Sequence, residues 1–346
     1  MTTDVYVATG TRTALGNFGG SLKDRPMTGL SAEIVGACIE RSGASPENFD
    51  HIVFTTTCPT DKDSLFAARV VGMKGGLPAD AAALDVSRAC ASGLQAIISA
   101  GQQVATGQSQ LAIAAGAEMF SRAPFAVTTS RWGNARGHQQ LEDMLEWCYR
   151  CPFSLEYMGD TAENLAAKYG YDRSPMDEYA VQSQARALAA IESGFLARQI
   201  HPVLVPEGKS SRTFCIDESP RAGITVERLA RLAPAFQADG KVTAGNASGV
   251  TDGAAAIPVG SKESLMSAGI KPIARIVDWA VVGVEPSLMG HGPVPAIEQC
   301  LRRTGQAISD IDYFEINEAF AVVNLHVEAQ LGIPRDRHNL YGRGIS

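Results

Sequence analysis

The sequence has no hydrophobic run near the ~18 residues that a membrane-spanning helix needs, so no membrane span is expected. Its N-terminus, MTTDVYVATGTRT, also lacks the apolar segment of a secretory signal peptide. Basic residues are too few for a nucleic-acid-binding surface, because 30 Lys and Arg stand against 37 Asp and Glu and the formal net charge is −7. These absences predict a cytoplasmic protein that binds neither membranes nor nucleic acid.

Metal-binding patterns are also missing. The chain has a CxxC motif at Cys148 and Cys151, but no second pair of cysteines or histidines lies at zinc spacing from it. A redox pair and half of a zinc site are the functional interpretations of this motif, whereas its aromatic neighbours and lack of a partner motif favour a structural role. The seven cysteines are expected to be reduced thiols, and no metal is predicted.

The composition that remains is that of an ordinary globular protein. The chain is 45% hydrophobic and 19% charged, and its 346 residues are enough for two or three domains. Short apolar strands alternate with helical patterns, which predicts a layered α/β fold. The predicted strands cover residues 5–8, 52–55, 82–86 and 111–115, and the predicted helices cover residues 30–41, 65–74 and 91–106.

The first and last parts of the chain contain a weak internal repeat of three segments. GLSAEIVGACIERSG resembles GPVPAIEQCLRRTG, SPENFDHIVFT resembles AISDIDYFEIN, and GGLPADAAALDVSRAC resembles LGIPRDRHNLYGRGIS. The repeat predicts two similar α/β halves, with a buried strand at residues 311–316 in the second half. Between the halves, residues 121–247 repeat nothing and are predicted to form a mostly helical insert, with a helix at 176–195 that Ser174 caps.

The stretch VSRACASGLQ places Cys90 between a predicted strand and a helix of small residues. A thiol at a helix N-terminus meets unpaired N–H groups and the positive end of the helix dipole, and both favour the nucleophilic thiolate. The dipole alone lowers a pKa by less than about one unit, so a nearby base is still needed. From this stretch alone, Cys90 is either a nucleophile or a small buried hydrophobic residue.

The segment RACASGLQAI resembles the nucleophile segment of the thiolase family, in which a cysteine begins a buried helix before Ser-Gly-Leu. Further segments that resemble thiolase signatures follow in the family's order over essentially the whole chain. They are GAEMFS, MGDTAENLA, RSPMDEYAVQSQARA, VTAGNASGVTDGAAA, MGHGPVPAI and INEAFAVVN.

The resemblance implies a thiolase-like layered fold of two repeated α/β halves with a loop domain inserted between them. The N-terminal half would cover residues 1–120, completed by 250–270, the CoA-binding loop domain 121–249, and an incomplete C-terminal half 271–346. The family transfers an acyl group between a 3-ketoacyl-CoA and CoA, by thiolysis or by the reverse Claisen condensation. CoA is then a substrate and no cofactor is expected. A role in lipid metabolism such as fatty acid β-oxidation is implied, as is a homodimer or homotetramer.

The resemblance also implies roles for individual residues. Cys90 is the cysteine that becomes acylated, and Asn317 in the NEAF segment positions a water at an oxyanion hole. The residues implied to bind CoA lie along its pantetheine channel or, for the arginine, near its nucleotide: Met158, Arg221, Ala244, Ser248, Ala319 and Phe320.

Three departures from the family pattern stand out. Ser87 replaces the usual Asn and Tyr157 replaces a frequent His, which we interpret as subfamily differences. The family's base is a histidine in a Gly-His-Pro turn, and its second acid/base is a cysteine in a Cys-x-Gly segment. Both follow the segment that NLYGRGIS resembles, where this sequence ends at Ser346. The chain as given is therefore expected to be truncated and to have little thiolase turnover of its own.

Two explanations of this ending stay open: a fragment of a thiolase, or a natural chain that has lost condensing chemistry. The second corresponds to a non-catalytic homologue that binds CoA or acts only in assembly. His291 in MGHGPVPAI is a candidate substitute base, although a surface or supporting role is the simpler interpretation. The other five histidines show no partner pattern and are predicted to be structural.

Overall fold

A computed structural model describes residues 3–132, 136–342 and 344–346 of the chain. The chain forms two compact units, and each unit combines segments that are distant in sequence. The first unit contains Met1–Cys148, Gln199–Glu218 and Val250–Val277, and the second contains Tyr149–Arg198, Ser219–Gly249 and Asp278–Ser346. The three-domain division implied by the family resemblance stays a prediction.

Every strand among the described residues lies in the first unit. The strands are β1 (Val5–Val7), β2 (Thr11–Arg12), β3 (Gly16–Asn17), β4 (His51–Thr55), β5 (Ala82–Val86), β6 (Leu111–Met119), β7 (Phe125–Ala126), β8 (Glu142–Asp143), β9 (Val203–Glu207), β10 (Ser210–Phe214), β11 (Thr251–Ser261) and β12 (Ala274–Arg275). The main sheet has the order β12, β1, β11, β6, β4, β5, and β2 and β3 also pair with β11. Strands β4, β5 and β6 are parallel, whereas β11 runs antiparallel to β1 and β6.

Helices occur in both units of the described chain. They are α1 (Met27–Ser42), α2 (Ala67–Lys74), α3 (Ser92–Ala105), α4 (Met144–Tyr149), α5 (Met158–Tyr169), α6 (Arg173–Glu192), α7 (Val226–Leu229), α8 (Lys262–Ser267), α9 (Pro293–Thr304) and α10 (Ala321–Leu331). Within the described parts of the chain, no helix is both long enough and apolar enough to cross a membrane.

The part of the first unit's core that lies nearest to Cys90 is formed between the main sheet and helix α3. Strand β4 is buried at all five positions, as expected for a central strand with both faces covered. Helix α3 contributes Ala96, Ala100 and Val104 to this core, where they pack with residues of β4, β6 and β11. At the sheet edge, β5 pairs only with β4 and is largely exposed. The chain therefore leaves an exposed edge strand and enters helix α3, one side of which is buried, and Cys90 lies at this junction.

The second unit has a core to which helices α5, α6 and α10 each contribute. Leu165 of α5, Tyr179 of α6 and Val322 of α10 are each at most 2% exposed. A Cβ at Gly290 would lie 2.8 Å from a methyl group of Val323, so only glycine fits where the segment before α9 crosses this core.

The predicted α/β class is confirmed, and each strand and helix predicted between residues 5 and 115 is present. The predicted strand at residues 311–316 is wrong. Phe314 forms one isolated parallel bridge to His338, and no strand forms there. Next to this bridge, Asn339 has a left-handed backbone (φ 46°), which lies outside the extended region that a strand needs. Its side chain, instead of a backbone ladder, bonds to the N–H and the C=O of Ile316, both at 2.8 Å.

The predicted cap at Ser174 is also wrong, because helix α6 begins at Arg173 with Asp172 at the N-cap. Pro175 is compatible with this earlier start, since proline is tolerated in the first turn of a helix. Arg173 gains from being helical, because its Nε donates to Asp177 one turn later at 2.7 Å.

The segment predicted as a mostly helical insert contains helices α4 to α7 but also strands β7 to β10. Its residues Gln199–Glu218 belong to the first unit, where Arg12 binds both oxygens of Asp217 at 2.7 and 2.9 Å. Strand β11, which follows the insert, lies inside the main sheet of the first unit.

Candidate active site

The candidate nucleophile Cys90 lies in a short 3-10 turn, Ala89–Ala91, between strand β5 and helix α3. Cys90 is exposed. Ala89, the residue before it, has a φ of 44°, a left-handed conformation that is costly for a residue with a Cβ. Such strain concentrates at functional sites, where the surrounding structure must hold it. The turn therefore presents Cys90 at the surface of the unit, which excludes the alternative of a buried hydrophobic residue.

Side chains from the first turns of α3 hold this turn in place. The N–H of Arg88 donates to the hydroxyl oxygen of Ser92 at 2.7 Å, and Arg88 Nε donates to Gln95 Oε1 at 2.7 Å. Gln95 Nε2 in turn donates to the hydroxyl oxygen of Ser99 at 2.9 Å. Because these bonds tie the residues around Cys90 to the helix, the position of the thiol is well defined.

The helix N-terminus does not make Cys90 acidic, in contrast to the expectation from the sequence. Although Cys90 reaches solvent, the protein atoms around it partly desolvate the sulfur. This desolvation raises the pKa of the Cys90 thiol, and the charge of Glu118 raises it further. A hydrogen bond from the backbone N–H of Cys90 lowers the pKa but does not outweigh this burial. The resting side chain is therefore a thiol at neutral pH, and a base must remove its proton before it can act as a nucleophile.

Glu118, near the end of strand β6, is the charged group that acts on Cys90. Its carboxylate accepts hydrogen bonds from the N–H groups of Thr57 at 2.8 Å and Cys58 at 3.0 Å, and from the hydroxyl of Thr56 at 3.1 Å. Burial raises the pKa of Glu118, and these hydrogen bonds partly offset the effect. The sequence pointed to the GAEMFS segment but not to this role, because the partners of Glu118 lie 60 to 62 residues earlier.

The other seven predicted site residues all lie in the second unit. Two segments of the second unit bring Ser248, Ala319 and Phe320 together. Residues 246–249 run beside residues 319–321, and the N–H of Ser248 donates to the C=O of Ala319 at 3.0 Å. An isolated antiparallel bridge at Phe320 continues this pairing. Ser248 is exposed and Phe320 is buried, so the pairing places a polar side chain at the surface beside an apolar one.

Met158 belongs to the same apolar core as Phe320. The ring of Phe236 meets that of Phe320 edge to face, with the centroids 6.1 Å apart. Gly159 faces Phe236 so closely that a Cβ would lie 2.2 Å from the ring, which explains why glycine follows Met158 in MGDTAENLA. Met158, Phe236 and Phe320 therefore lie in one apolar region of the second unit.

Arg221 and Ala244 are exposed in separate loops of the second unit. The N–H of Arg221 donates to Gln184 Oε1 at 2.7 Å, and Gln184 Nε2 donates to the C=O of Ile345 at 2.9 Å. The backbone of Arg221 is thus anchored to helix α6. Both residues stay predicted CoA-binding positions.

Asn317 is exposed, whereas its neighbour Glu318 is only 1% exposed. The carboxylate of Glu318 accepts hydrogen bonds from the hydroxyls of Tyr179 at 2.9 Å and Ser183 at 2.6 Å. The side chain of Asn324 donates to the C=O of Asn317 at 3.4 Å. Glu318 therefore fixes the backbone on one side of Asn317, a role that the sequence analysis missed although Glu318 lies in the NEAF segment.

His291, the candidate substitute base, contacts His326, which the sequence analysis had treated as a histidine without a partner. His291 Nδ1 and His326 Nε2 are 2.8 Å apart, and the hydroxyl of Tyr171 lies 3.3 Å from His326 Nδ1. Burial, followed by the neighbouring His291, lowers the pKa of His326 to about 4. His338 also has a partner, because its Nδ1 lies 2.8 Å from Glu328 Oε1.

The pKa of His326 predicts a loss of stability in weak acid. Its folded pKa of about 4 lies below the ordinary value of about 6.5, so this contribution is fully present above pH 6.5 and is lost as the pH falls toward 4. Stability should fall by about 1.4 kcal/mol per pH unit, or about 2 kcal/mol between pH 6.5 and 5. Urea denaturation of the wild type and of His326→Asn at pH 7 and pH 5 measures this effect. The variant should lose less stability than the wild type by that amount, and an equal loss in both proteins would contradict the assignment.

Two family models match this chain. The model described as "Thiolase, N-terminal domain" matches residues 5–263, and the model described as "Thiolase, C-terminal domain" matches residues 270–346. Together they cover nearly the whole sequence.

Curated relatives and a solved structure that are similar to this chain are also thiolases. The beta-ketothiolase BktB of Cupriavidus necator is 42% identical over 347 residues, covering 100% of this chain and 88% of that protein. The mitochondrial 3-ketoacyl-CoA thiolase of Bos taurus is 38% identical, covering 99% of this chain and 86% of that protein. The crystal structure of human mitochondrial 3-ketoacyl-CoA thiolase matches with a TM-score of 0.96 at 37% identity, covering 99% of this chain and 87% of that chain.

Proposed function

Because the chain belongs to the thiolase family, we propose that Cys90 carries the acyl group that thiolases transfer between a 3-ketoacyl-CoA and CoA. The observation that carries this assignment is the exposed thiol on a strained turn at the start of helix α3. The other six cysteines support the assignment to Cys90, since their thiols are buried or only half-exposed.

The proposed thiolysis has two acyl transfers. The Cys90 thiolate attacks the C3 ketone of the 3-ketoacyl-CoA, the C2–C3 bond breaks, and acetyl-CoA leaves after its C2 takes up a proton. The thiolate of a second CoA then attacks the Cys90 thioester, which releases the shortened acyl-CoA and restores the cysteine. Claisen condensation is the reverse of these steps. Since the pKa of Cys90 is raised, the first step depends on a base and should speed up as the pH rises toward that pKa.

CoA is proposed to bind as a substrate, and no additional cofactor is proposed. The support is the group of exposed Ser248, half-buried Ala319 and buried Phe320 in the second unit, with the apolar surface of Met158 and Phe236. Asn317 is proposed to hold a water at the oxyanion hole, because its side chain is exposed while its backbone is anchored through Glu318.

Replacing Ser248 by tryptophan should block CoA binding. Ser248 is exposed, so a large side chain there fills the proposed channel without disturbing a core. We expect the Kd for CoA, measured by isothermal titration calorimetry, to rise at least about tenfold, because the indole ring occupies space that the pantetheine chain needs. Ser210→Trp, at an exposed position in the β9–β10 hairpin, is the matched control. Unchanged CoA affinity in folded Ser248→Trp would remove Ser248 from the site.

A dimer formed through strand β5 is also proposed. Strand β5 is an edge of the main sheet and is exposed, and Leu84 within it is 37% exposed. Leu84→Lys should convert the dimer into monomers in sedimentation velocity, because a charge on each copy would meet its like across the edge. Leu204→Lys, at an exposed position of β9, should leave the dimer intact. A wild-type monomer, or a Leu84→Lys dimer, would contradict the proposal.

A cytoplasmic location stays a proposal, supported by seven free cysteines.

The acyl transfer itself can be tested with acetoacetyl-CoA in the absence of free CoA. Acid quenching and mass spectrometry should find a single acetyl group on the peptide that contains Cys90. Addition of CoA before quenching should remove it. An acetyl group on another residue, or none on Cys90, would overturn the proposed role of Cys90.

A further inference from the structure

The loop that carries Ala244 and Ser248 is held in place by buried polar side chains to which the proposed function gives no role. We call this segment, residues 241–249, the CoA loop; the structure describes it throughout, and it contains no helix or strand. Ala244 and Ser248 are exposed, whereas Asn246 between them is 0% exposed. Because burying an amide is costly unless its polar atoms are hydrogen bonded, the contacts of Asn246 show how the loop is fixed.

The side-chain amide of Asn246 has three hydrogen-bond partners. Its Oδ1 accepts from the N–H of Thr243 at 2.9 Å, and its Nδ2 donates to the C=O of Lys241 at 3.1 Å. Nδ2 also donates to Oδ1 of Asp177 in helix α6 at 2.9 Å. The amide therefore closes the CoA loop on itself and ties the loop to helix α6.

Asp177 is only 1% exposed, and both of its carboxylate oxygens have partners. Oδ1 accepts from Asn246, and Oδ2 accepts from Arg173 Nε at 2.7 Å. Arg173 also donates to the C=O of Leu229, which fixes its guanidinium group. Hydrogen bonds to an ionised carboxylate are stronger than those between neutral groups, so Asp177 anchors Asn246 firmly.

The CoA loop is also bonded to the segment that contains Phe320. The N–H of Ala321 donates to the C=O of Asn246 at 2.9 Å, and the N–H of Ser248 donates to the C=O of Ala319 at 3.0 Å. Asn246 thus joins helix α6, the CoA loop and the start of helix α10. A shift of Asn246 would therefore move the exposed Ser248 relative to Phe320.

We propose that Asp177 and Asn246 are positioning residues that hold the CoA loop in the shape required to bind CoA. This inference rests on the proposed function, because it takes Ala244 and Ser248 as CoA-binding residues. Asp177 and Asn246 are themselves buried, so they act through the backbone of the loop and do not touch CoA. A loop that is fixed before binding loses less conformational entropy on binding, and the pair thereby raises the affinity for CoA.

The test exchanges the carboxylate and the amide between the two positions. Asn246→Asp places a second carboxylate at hydrogen-bond distance from Asp177, and Asp177→Asn leaves its new NH₂ group facing one of two donors, Asn246 or Arg173. We expect each substitution to raise the Kd for CoA at least about tenfold, measured by isothermal titration calorimetry. The double variant Asp177→Asn/Asn246→Asp again sets a donor opposite an acceptor. It should bind CoA at least about threefold more tightly than either single variant.

Two further measurements separate positioning from a general loss of stability. Amide hydrogen–deuterium exchange in the CoA loop should become faster in each single variant and slow again in the double variant. Asn246→Ser, which removes the amide without adding a charge, should also raise the Kd and replaces Asn246→Asp if that variant does not fold.

The matched control is Glu328→Gln. Glu328 is a largely buried carboxylate of the same unit, and it accepts from Arg335 Nε at 2.6 Å and lies 2.8 Å from His338 Nδ1. This variant should lower the free energy of unfolding but leave the Kd for CoA and the exchange of the CoA loop unchanged.

Other outcomes would overturn the proposal. Wild-type affinity for CoA in both single variants, an equal rise of the Kd in Glu328→Gln, or a double variant that binds no better than the single variants would each reject the positioning role. If Ser248→Trp loses CoA binding while the single variants keep it, the CoA site stands and only the role of Asp177 and Asn246 is rejected. A wild-type protein that does not bind CoA would instead reject the proposed CoA site and this inference together.

Discussion

Replacing Cys90 by alanine should abolish acyl-enzyme formation and, with it, whatever 3-ketoacyl-CoA cleavage the wild type catalyses. Alanine removes the sulfur to which the acyl group binds. Without that sulfur the covalent intermediate cannot form, so the reaction is no longer divided into two transfers, and water does not replace the missing thiol. Rapid-quench mass spectrometry with acetoacetyl-CoA measures the acylation step directly. The same assay with CoA present measures turnover.

The matched control is Cys215→Ala, which removes a half-exposed thiol from the same unit. This variant should acylate at the wild-type rate. Thermal midpoints should agree among the three proteins, since Cys90 is exposed and contributes little to the core. Acylation of Cys90→Ala at a rate near that of the wild type would assign the reaction to another nucleophile.

The position of Cys90 could be predicted from the sequence, whereas the acidity of its thiol could not. A strand, a cysteine and a helix of small residues follow one another within about 25 residues, so local patterns predict the turn. The pKa depends on solvent removal and on Glu118, which is brought close only by the main sheet. The small effect of the helix dipole therefore does not decide the pKa of this thiol, because desolvation acts in the opposite direction.

The difference between local patterns and long-range contacts also explains the errors in the fold predicted from the sequence. The strands of the first unit have short apolar runs that pair in a regular sheet, and the sequence predicts them well. Residues 311–316 have a similar run, but their partner segment turns at Asn339, whose left-handed conformation and side-chain hydrogen bonds replace a ladder. Such a replacement depends on one residue more than 20 positions away, and no local periodicity reveals it.

Buried polar contacts are the third feature that the sequence does not reveal. His291 and His326 are 35 positions apart, and Glu118 bonds to residues 60 to 62 positions earlier. A single sequence contains the residue types but not the long-range contacts that pair them. Burial and the neighbouring His291 lower the pKa of His326 to about 4, an effect that no local sequence pattern indicates.

The largest effect on stability is expected at Glu318. Its carboxylate is 1% exposed and accepts hydrogen bonds from four donors without a neighbouring cation in the contacts described. The donors are the hydroxyls of Tyr179 and Ser183, the side-chain amide of Asn339 and the N–H of Ile345. Glu318→Ala leaves several of these groups buried without an acceptor, and each such group costs about 1–3 kcal/mol.

We therefore expect Glu318→Ala to lower the free energy of unfolding by about 3–5 kcal/mol, measured by urea denaturation. Glu318→Gln should lose less, because its remaining carbonyl oxygen still accepts from Tyr179 or Ser183, while its amide group opposes the N–H of Ile345. Glu192→Ala, at an exposed position in the last turn of α6, should change stability by no more than about 0.5 kcal/mol. The order of stability should be wild type and Glu192→Ala, then Glu318→Gln, then Glu318→Ala. A loss below about 1 kcal/mol in Glu318→Ala would mean that water enters and satisfies the donors, and Asn317 would then not depend on Glu318 for its position.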